Sequence, residues 1–269
     1  MHHATELKYR DGGFTLVEMI IVISITGVLI AAMSLFGRQQ IEAYFDVSGR
    51  AILADGADTA LRRIGRELQA ALPNSVRVNG NFLEFVPVTG GGRYRADFTP
   101  AGTLNPLDLN DPADNGFDIL GPTVDTVAGD QLVIFNLGQV GSDVYAGSSR
   151  RALTTIGNAL SALGFSGAQF PFGSPLHRFQ IVNGPVTYEC DTVGQVLRRR
   201  WGYGFSTVQP IVFAAGSSST LVDHVVGCTI TYSAGALARN GIVVIRLRMQ
   251  AENGETVDLM HQVEVLNAP

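Results

Sequence analysis

The chain has 269 residues, a formal net charge of −5 and a charged-residue content of 16%. That balance supplies no basic field to attract nucleic acid, so no nucleic-acid partner is expected. Gly, Ser, Thr, Asn and β-branched residues are plentiful, the texture of a secreted β-rich domain rather than of a charged cytosolic enzyme.

A polar leader ends in Gly12-Gly13, and from Phe14 an apolar run of 23 residues reaches Phe36 with Glu18 as its one acidic interruption. At about 1.5 Å per helical residue the run covers roughly 35 Å, enough for a bilayer core of about 30 Å. A carboxylate in such a run is costly and by default has a function and a partner. The residues alone leave two other readings open. Gly12-Gly13 suits a flexible approach to a membrane helix, with Glu18 at headgroup level beside Lys8 or Arg10, and a conventional secretory signal is the second. Against the latter, the run is too long for a usual h-region, Ala31-Ala32-Met33 fails the A-x-A pattern, and Glu6 and Asp11 are foreign to an n-region.

The apolar period continues past the run. Ile41, Phe45, Ile52, Ala57, Leu61, Ile64, Leu68 and Leu72 recur at steps that predict one stripe of a helix, with Arg50, Asp55, Asp58, Arg62, Arg66 and Glu67 on other faces. Pro73-Asn74 ends the pattern. Residues 15–72 are therefore predicted as one nearly continuous helix of about 85 Å, with Gly27, Gly37, Gly49 and Gly56 as soft points.

After Pro73 the period becomes two. Ser75–Val78 and Phe82–Val88 predict a hairpin around Asn79-Gly80-Asn81, and strands are predicted at 131–137, 178–182, 186–190, 195–201, 220–226, 228–233, 242–250 and 256–266. A short helix is predicted over 151–164, and 89–129 reads as one long loop, either a partner surface or a passive insertion. The expected fold class is α+β. A long N-terminal helix, with a membrane half at 14–36 and an amphipathic half at 37–72, packs on an antiparallel β-rich head at 73–269.

Catalytic motifs are sparse. The chain has no G-x-S-x-G elbow, Walker A loop or H-E-x-x-H helix, and Gly90-Gly91-Gly92 lacks the strand-turn-helix setting of a phosphate cradle. Neither a catalytic residue nor a cofactor is expected. His177, His224 and His261 are read as strand side chains. Arg198-Arg199-Arg200-Trp201 alternates across a strand, so it predicts salt bridges on two faces rather than one basic patch. Asp108, Asp111, Asp114 and Asp118 form a weak calcium candidate. An EF-hand is excluded, because placing Gly116 at the invariant glycine puts Ala113 third and Pro122 twelfth.

The order Gly13-Phe14-Thr15-Leu16-Val17-Glu18 resembles the class III signal of type IV pilins and type II secretion pseudopilins. The resemblance implies that a prepilin peptidase cuts between Gly13 and Phe14 and methylates the Phe14 amine, and that Glu18 assists assembly. It further implies a single pass through the bacterial inner membrane, a periplasmic head, and later residence in a pilus fibre or tip. The implied partners are other major and minor pilin subunits, the peptidase and the inner-membrane assembly platform. In the family some pseudopilins bind calcium.

An oxidising periplasm makes a Cys190–Cys228 disulfide the first reading, with two separate buried thiols as the alternative. The stretches 71–75, 239–243 and 259–269 resemble minor pilins of mannose-sensitive haemagglutinin-type pili, and the head is large for a major pilin. A minor pseudopilin of type II secretion, and a membrane-tethered periplasmic binding protein or enzyme, stand as alternatives.

Overall fold

A computed structural model describes residues 13–97, 104–235 and 240–268, with the side chains at 35–39 and 41–43 outside that description. The leader through Gly12 and the Ile41 side chain of the predicted stripe therefore lie outside the described residues. The fold is α+β. One helix, α1 Leu16–Gln69, runs through Gly27, Gly37, Gly49 and Gly56 without a break. The chain separates into two compact units, Met1–Gly49 and Arg50–Pro269, and α1 contributes to both.

In the second unit the helix buries Leu53, Ala57, Ala60, Leu61, Ile64 and Leu68, while Ile52 is exposed. The stripe thus passes through Leu53 rather than Ile52, as a drift of 3.6 residues per turn requires. The helix stops three residues short of the predicted end. Leu72 N–H donates to Val86 O at 2.8 Å and Val88 N–H to Ala70 O at 3.1 Å, so a strand takes over the backbone before Pro73.

The strands after the helix are β1 Arg77–Asn79, β2 Phe82–Phe85, β3 Val88–Tyr94, β4 Gly116–Leu120, β5 Val124–Thr126, β6 Gln131–Val133, β7 Arg150–Leu153 and β8 Gly157–Leu160. They continue with β9 Ala162–Ser166, β10 Arg178–Val182, β11 Val186–Asp191, β12 Val196–Trp201, β13 Ser217–Asp223, β14 Val225–Ser233, β15 Gly241–Gln250 and β16 Thr256–Val265. A five-stranded sheet has the order β1-β2-β11-β12-β13, a three-stranded sheet β14-β15-β16, and a two-stranded sheet β5-β8. The strands β10-β3-β4-β9-β7-β6 close into a barrel. Every pairing is antiparallel.

Connectivity explains the plan. β2 pairs directly with β11, with Phe85 opposite Val186. Between them in sequence lie all six barrel strands and the small β5-β8 sheet, so the barrel is an insertion between two neighbouring strands of the five-stranded sheet. Its interior is filled by rings: Phe117 lies 5.3 Å from Phe179 and 5.8 Å from Tyr94, and Phe165 lies 5.2 Å from Phe170. Leu72, Val86, Val133, Val144, Tyr145 and Val182 form the buried cluster where the insertion joins the sheet.

Two expectations are overturned here. The segment 89–129 is not one long loop, since it carries most of β3 and all of β4 and β5. Three consecutive glycines concealed β3. A Cβ at Gly91 would lie 2.9 Å from Phe179 O, and one at Gly92 would lie 3.0 Å from the Phe179 ring, so β10 packs where side chains would otherwise be. Gly91→Val is expected to destabilise the head by about 1–3 kcal/mol through overpacking, as thermal denaturation would report. Likewise, 151–164 is not helical but forms β7, β8 and the start of β9. Those strands pair with β6, β5 and β4, partners remote in sequence that a local period cannot reveal.

Cys190 on β11 and Cys228 on β14 are joined by a disulfide across 38 residues, with a Cα–Cα distance of 6.3 Å. It fastens the five-stranded sheet to the three-stranded one around the core that α1 completes. Reduction is expected to cost about 3–4 kcal/mol by the chain-entropy relation, read as a lowered melting temperature in dithiothreitol.

Candidate functional site

The N-terminal signal begins with a capped helix. Thr15 Oγ1 accepts the Glu18 N–H at 3.3 Å, and Thr15 O accepts the Met19 N–H at 3.2 Å. Thr15 is thus the N-cap, with Glu18 three residues on, the spacing of a capping box. The Glu18 carboxylate lies in the first turn, where the positive end of the helix dipole favours an anion. Thr15-x-x-Glu18 before an apolar run is the sequence signature of that cap.

Residues Leu16–Ser34 form a span of 19 residues with mean hydropathy 2.5, long and apolar enough to cross a membrane. Both of its serine hydroxyls are satisfied within the helix. Ser24 donates to Ile20 O and Ser34 to Ile30 O, both at 2.8 Å, so neither presents an orphan donor to lipid.

In the head, the arginine run divides between two faces as its alternation predicts. Arg199 points to α1 and pairs with Glu67 at 2.9 Å, while Arg198 pairs with Asp191 at 2.8 Å and Arg200 with Glu189 on the other face. The Arg199 guanidinium also lies 5.2 Å from the Trp201 ring centroid. Of His177, His224 and His261, two are not in strands. His177 and His224 hold φ of 54° and 62° at strand junctions, and only His261 lies within a strand, β16. His224 pairs with Asp223 at 2.9 Å and draws that carboxyl below its usual value.

The four aspartates of the calcium candidate take part in turn chemistry. Asp108 accepts Asn110 N–H, Asp111 accepts Ala113 N–H, and Asp114 accepts the N–H groups of Gly116 and Asp108. Asp118 accepts Asn105 N–H and faces Arg95 at 3.5 Å. Among the described residues no group of three or more His, Cys, Asp or Glu is arranged to hold a metal ion.

One charged residue escapes every local sequence pattern. Glu84 stands opposite Arg77 on β1 and Thr187 on β11, on the outer face of the five-stranded sheet, yet its side chain is fully buried. The segment after β12 covers it. Phe213 rests 4.9 Å from Tyr203 and 6.3 Å from Phe82, and Gln209 donates to Phe82 O at 3.0 Å. Glu84 accepts from Arg77 Nε and from Tyr203 OH at 2.9 Å. The Arg77 guanidinium then donates to Ser206 O and Thr207 O at 2.8 and 2.9 Å, and lies 3.5 Å from the Tyr145 ring centroid. Tyr145 closes the set by donating to Ser75 O at 2.8 Å. Burial raises the Glu84 carboxyl above its usual value despite Arg77, and pushes the Tyr145 hydroxyl up as well.

The family model described as the prokaryotic N-terminal methylation motif matches residues 8–34. No curated protein and no solved structure matches the chain. The match spans Gly13, Phe14 and Glu18 and coincides with the capped apolar helix, a combination that fits a single-pass protein anchored in the inner membrane. The chain carries a type IV pilin-like prepilin signal, which implies processing by a prepilin peptidase and interaction with pilin subunits.

Proposed function

We propose that this chain is a minor, low-abundance type IV pilin subunit of the MshO type, built into or priming a mannose-sensitive haemagglutinin-type (MSHA) pilus. The observation that carries the pilin reading is the methylation motif at residues 8–34 on a helix that continues to Gln69. The stretches 71–75, 239–243 and 259–269 support the finer assignment by resemblance. A head enlarged by an inserted barrel suits a subunit present in few copies.

On this reading the protein assembles and does not turn over a substrate. The peptidase cuts between Gly13 and Phe14 on the cytoplasmic side and methylates the Phe14 amine. Residues 14–36 hold the subunit in the inner membrane, with 37–72 and the head at 73–269 in the periplasm. The assembly platform then passes it into the fibre or its tip. On leaving the headgroup region Glu18 loses water and requires a cation, and the N-terminal ammonium of a neighbouring subunit supplies it. The Thr15 cap supports this reading because it fixes the first turn and with it the place of the carboxylate.

Mass spectrometry of the mature chain tests the proposal directly, with N-methylated Phe14 as the expected terminus; an intact Met1 or a start near Ser34 would refute it. Glu18→Ala is expected to be cleaved normally while its incorporation falls at least about tenfold, the effect of losing only about 1.4 kcal/mol. A deletion that blocks protein secretion and spares piliation would reassign the subunit to type II secretion.

A further inference from the structure

The barrel distributes its charges unevenly. Asp111, Asp114, Asp130 and Asp143, in the loops between its strands, each accept a backbone N–H. Among the described residues Arg95–Asp118 is the one ion pair within the barrel. Arg93, Arg150, Arg151 and Arg178 have no carboxylate within ion-pair distance among those residues. Arg150 and Arg151 settle on carbonyls and ring faces, with Arg150 over Phe205 and Arg151 over Phe170.

Arg93 and Arg178 differ. They stand directly opposite each other on β3 and β10, both exposed. Tyr94 N–H donates to His177 O at 2.8 Å in the neighbouring position, so the arginines occupy a non-hydrogen-bonded pair, where facing side chains come closest. Like charges placed so are destabilising. Arg93 Nε donates to Leu176 O at 3.1 Å, which leaves its terminal nitrogens unused, and no partner of Arg178 lies among the described residues. On the next strand Leu120 stands opposite Arg93, 40% exposed, and Leu176 is 48% exposed.

We infer that the row Arg178–Arg93–Leu120 is a binding site for a protein segment that presents a carboxylate beside an aliphatic side chain. Two guanidiniums on adjacent strands can donate to the two oxygens of one carboxylate, which turns their repulsion into a clamp. The flanking groups decide the class of ligand. Leu120 and Leu176 offer aliphatic surface and no ring face on which a sugar would stack, and arginine beside apolar surface is the composition of protein interfaces. The net charge of −5 adds selectivity, because general attraction for acidic ligands is absent.

The full chain in detergent micelles should bind a fluorescent hexapeptide of alternating leucine and glutamate, measured by anisotropy at low salt. Arg93→Gln with Arg178→Gln should weaken that binding by more than about tenfold. Arg246→Gln, which removes an exposed arginine on β15, should leave it unchanged. The double variant should also melt about 1–3 °C higher, since the repulsion is gone, whereas loss of merely structural arginines would lower the melting temperature. Absence of binding, equal binding by the double variant, or a lowered melting temperature with unchanged binding would overturn the inference. Tighter binding of a guluronate oligomer or of inorganic phosphate than of the peptide would overturn it too.

Discussion

Gly13→Val is expected to abolish removal of residues 1–13 while leaving the folded head intact. A Cβ at Gly13 meets nothing within 4 Å, and the helix cap begins at Thr15, so the substitution disturbs no packing of the described residues. A loss of processing therefore measures recognition by the peptidase and not misfolding. Intact-mass measurement should show the leader retained and Phe14 unmethylated, with the melting temperature of the head unchanged. The shortened mature chain appearing in normal amount would remove the support that the Gly13–Phe14 junction gives to the pilin reading.

Glu84→Ala should produce the largest loss of stability of any charged-residue substitution in the head, about 3–5 kcal/mol. The reason is what it strands. Arg77 loses its carboxylate and Tyr203 its acceptor, in a site covered by the segment after β12 and closed by Tyr145. For a domain of this size the change lowers the melting temperature by roughly 6–20 °C. Glu84→Gln keeps an acceptor for Tyr203 and should cost less. A loss below about 1 kcal/mol for the alanine variant would mean that the network contributes little.

The same residue sets a pH dependence. Burial raises the Glu84 carboxyl above its usual value of 4.5, so the folded head holds that proton more tightly than the unfolded chain does. Its contribution to stability therefore falls as pH rises from about 4.5 through the raised value. Asp191 and Asp258 act oppositely and elsewhere. The Gly194 N–H and Arg198 lower the first, and Arg248 lowers the second, so their contributions are lost only as pH falls below the usual 3.8. Melting curves from pH 4.5 upward should show a downward component in the wild type that Glu84→Gln removes. An identical profile for the two proteins would contradict the assignment.

The parts legible in the sequence share a short range. The apolar helix, the Leu61–Ile64–Leu68 stripe, the hairpins β1-β2 and β15-β16, and the opposed faces of Arg198 and Arg199 each arise from periods of a few residues. The disulfide was legible because the chain has only two cysteines and the prepilin resemblance implies an oxidising compartment. The misleading places were those where local composition and distant pairing disagree. Gly90-Gly91-Gly92 has no β propensity of its own and becomes a strand because Phe179 and Ile181 fill the space over it. The residues at 151–164 yield short strands whose partners are β6, β5 and β4, earlier in the chain and out of reach of a local period.

Of this protein, the sequence by itself determined the signal at Gly13–Phe14, the acid at Glu18, the long helix and the β-rich character of the head, because each rests on neighbours along the chain. The tertiary structure alone decided that the middle of the head is a closed barrel inserted between β2 and β11. It also decided that Glu84 is buried on a face that alternation assigns to solvent, and that Arg93 and Arg178 confront one another. The physical reason is common to all three. Closure, coverage and register bring together residues tens of positions apart, and no periodicity along the chain encodes which of them meet.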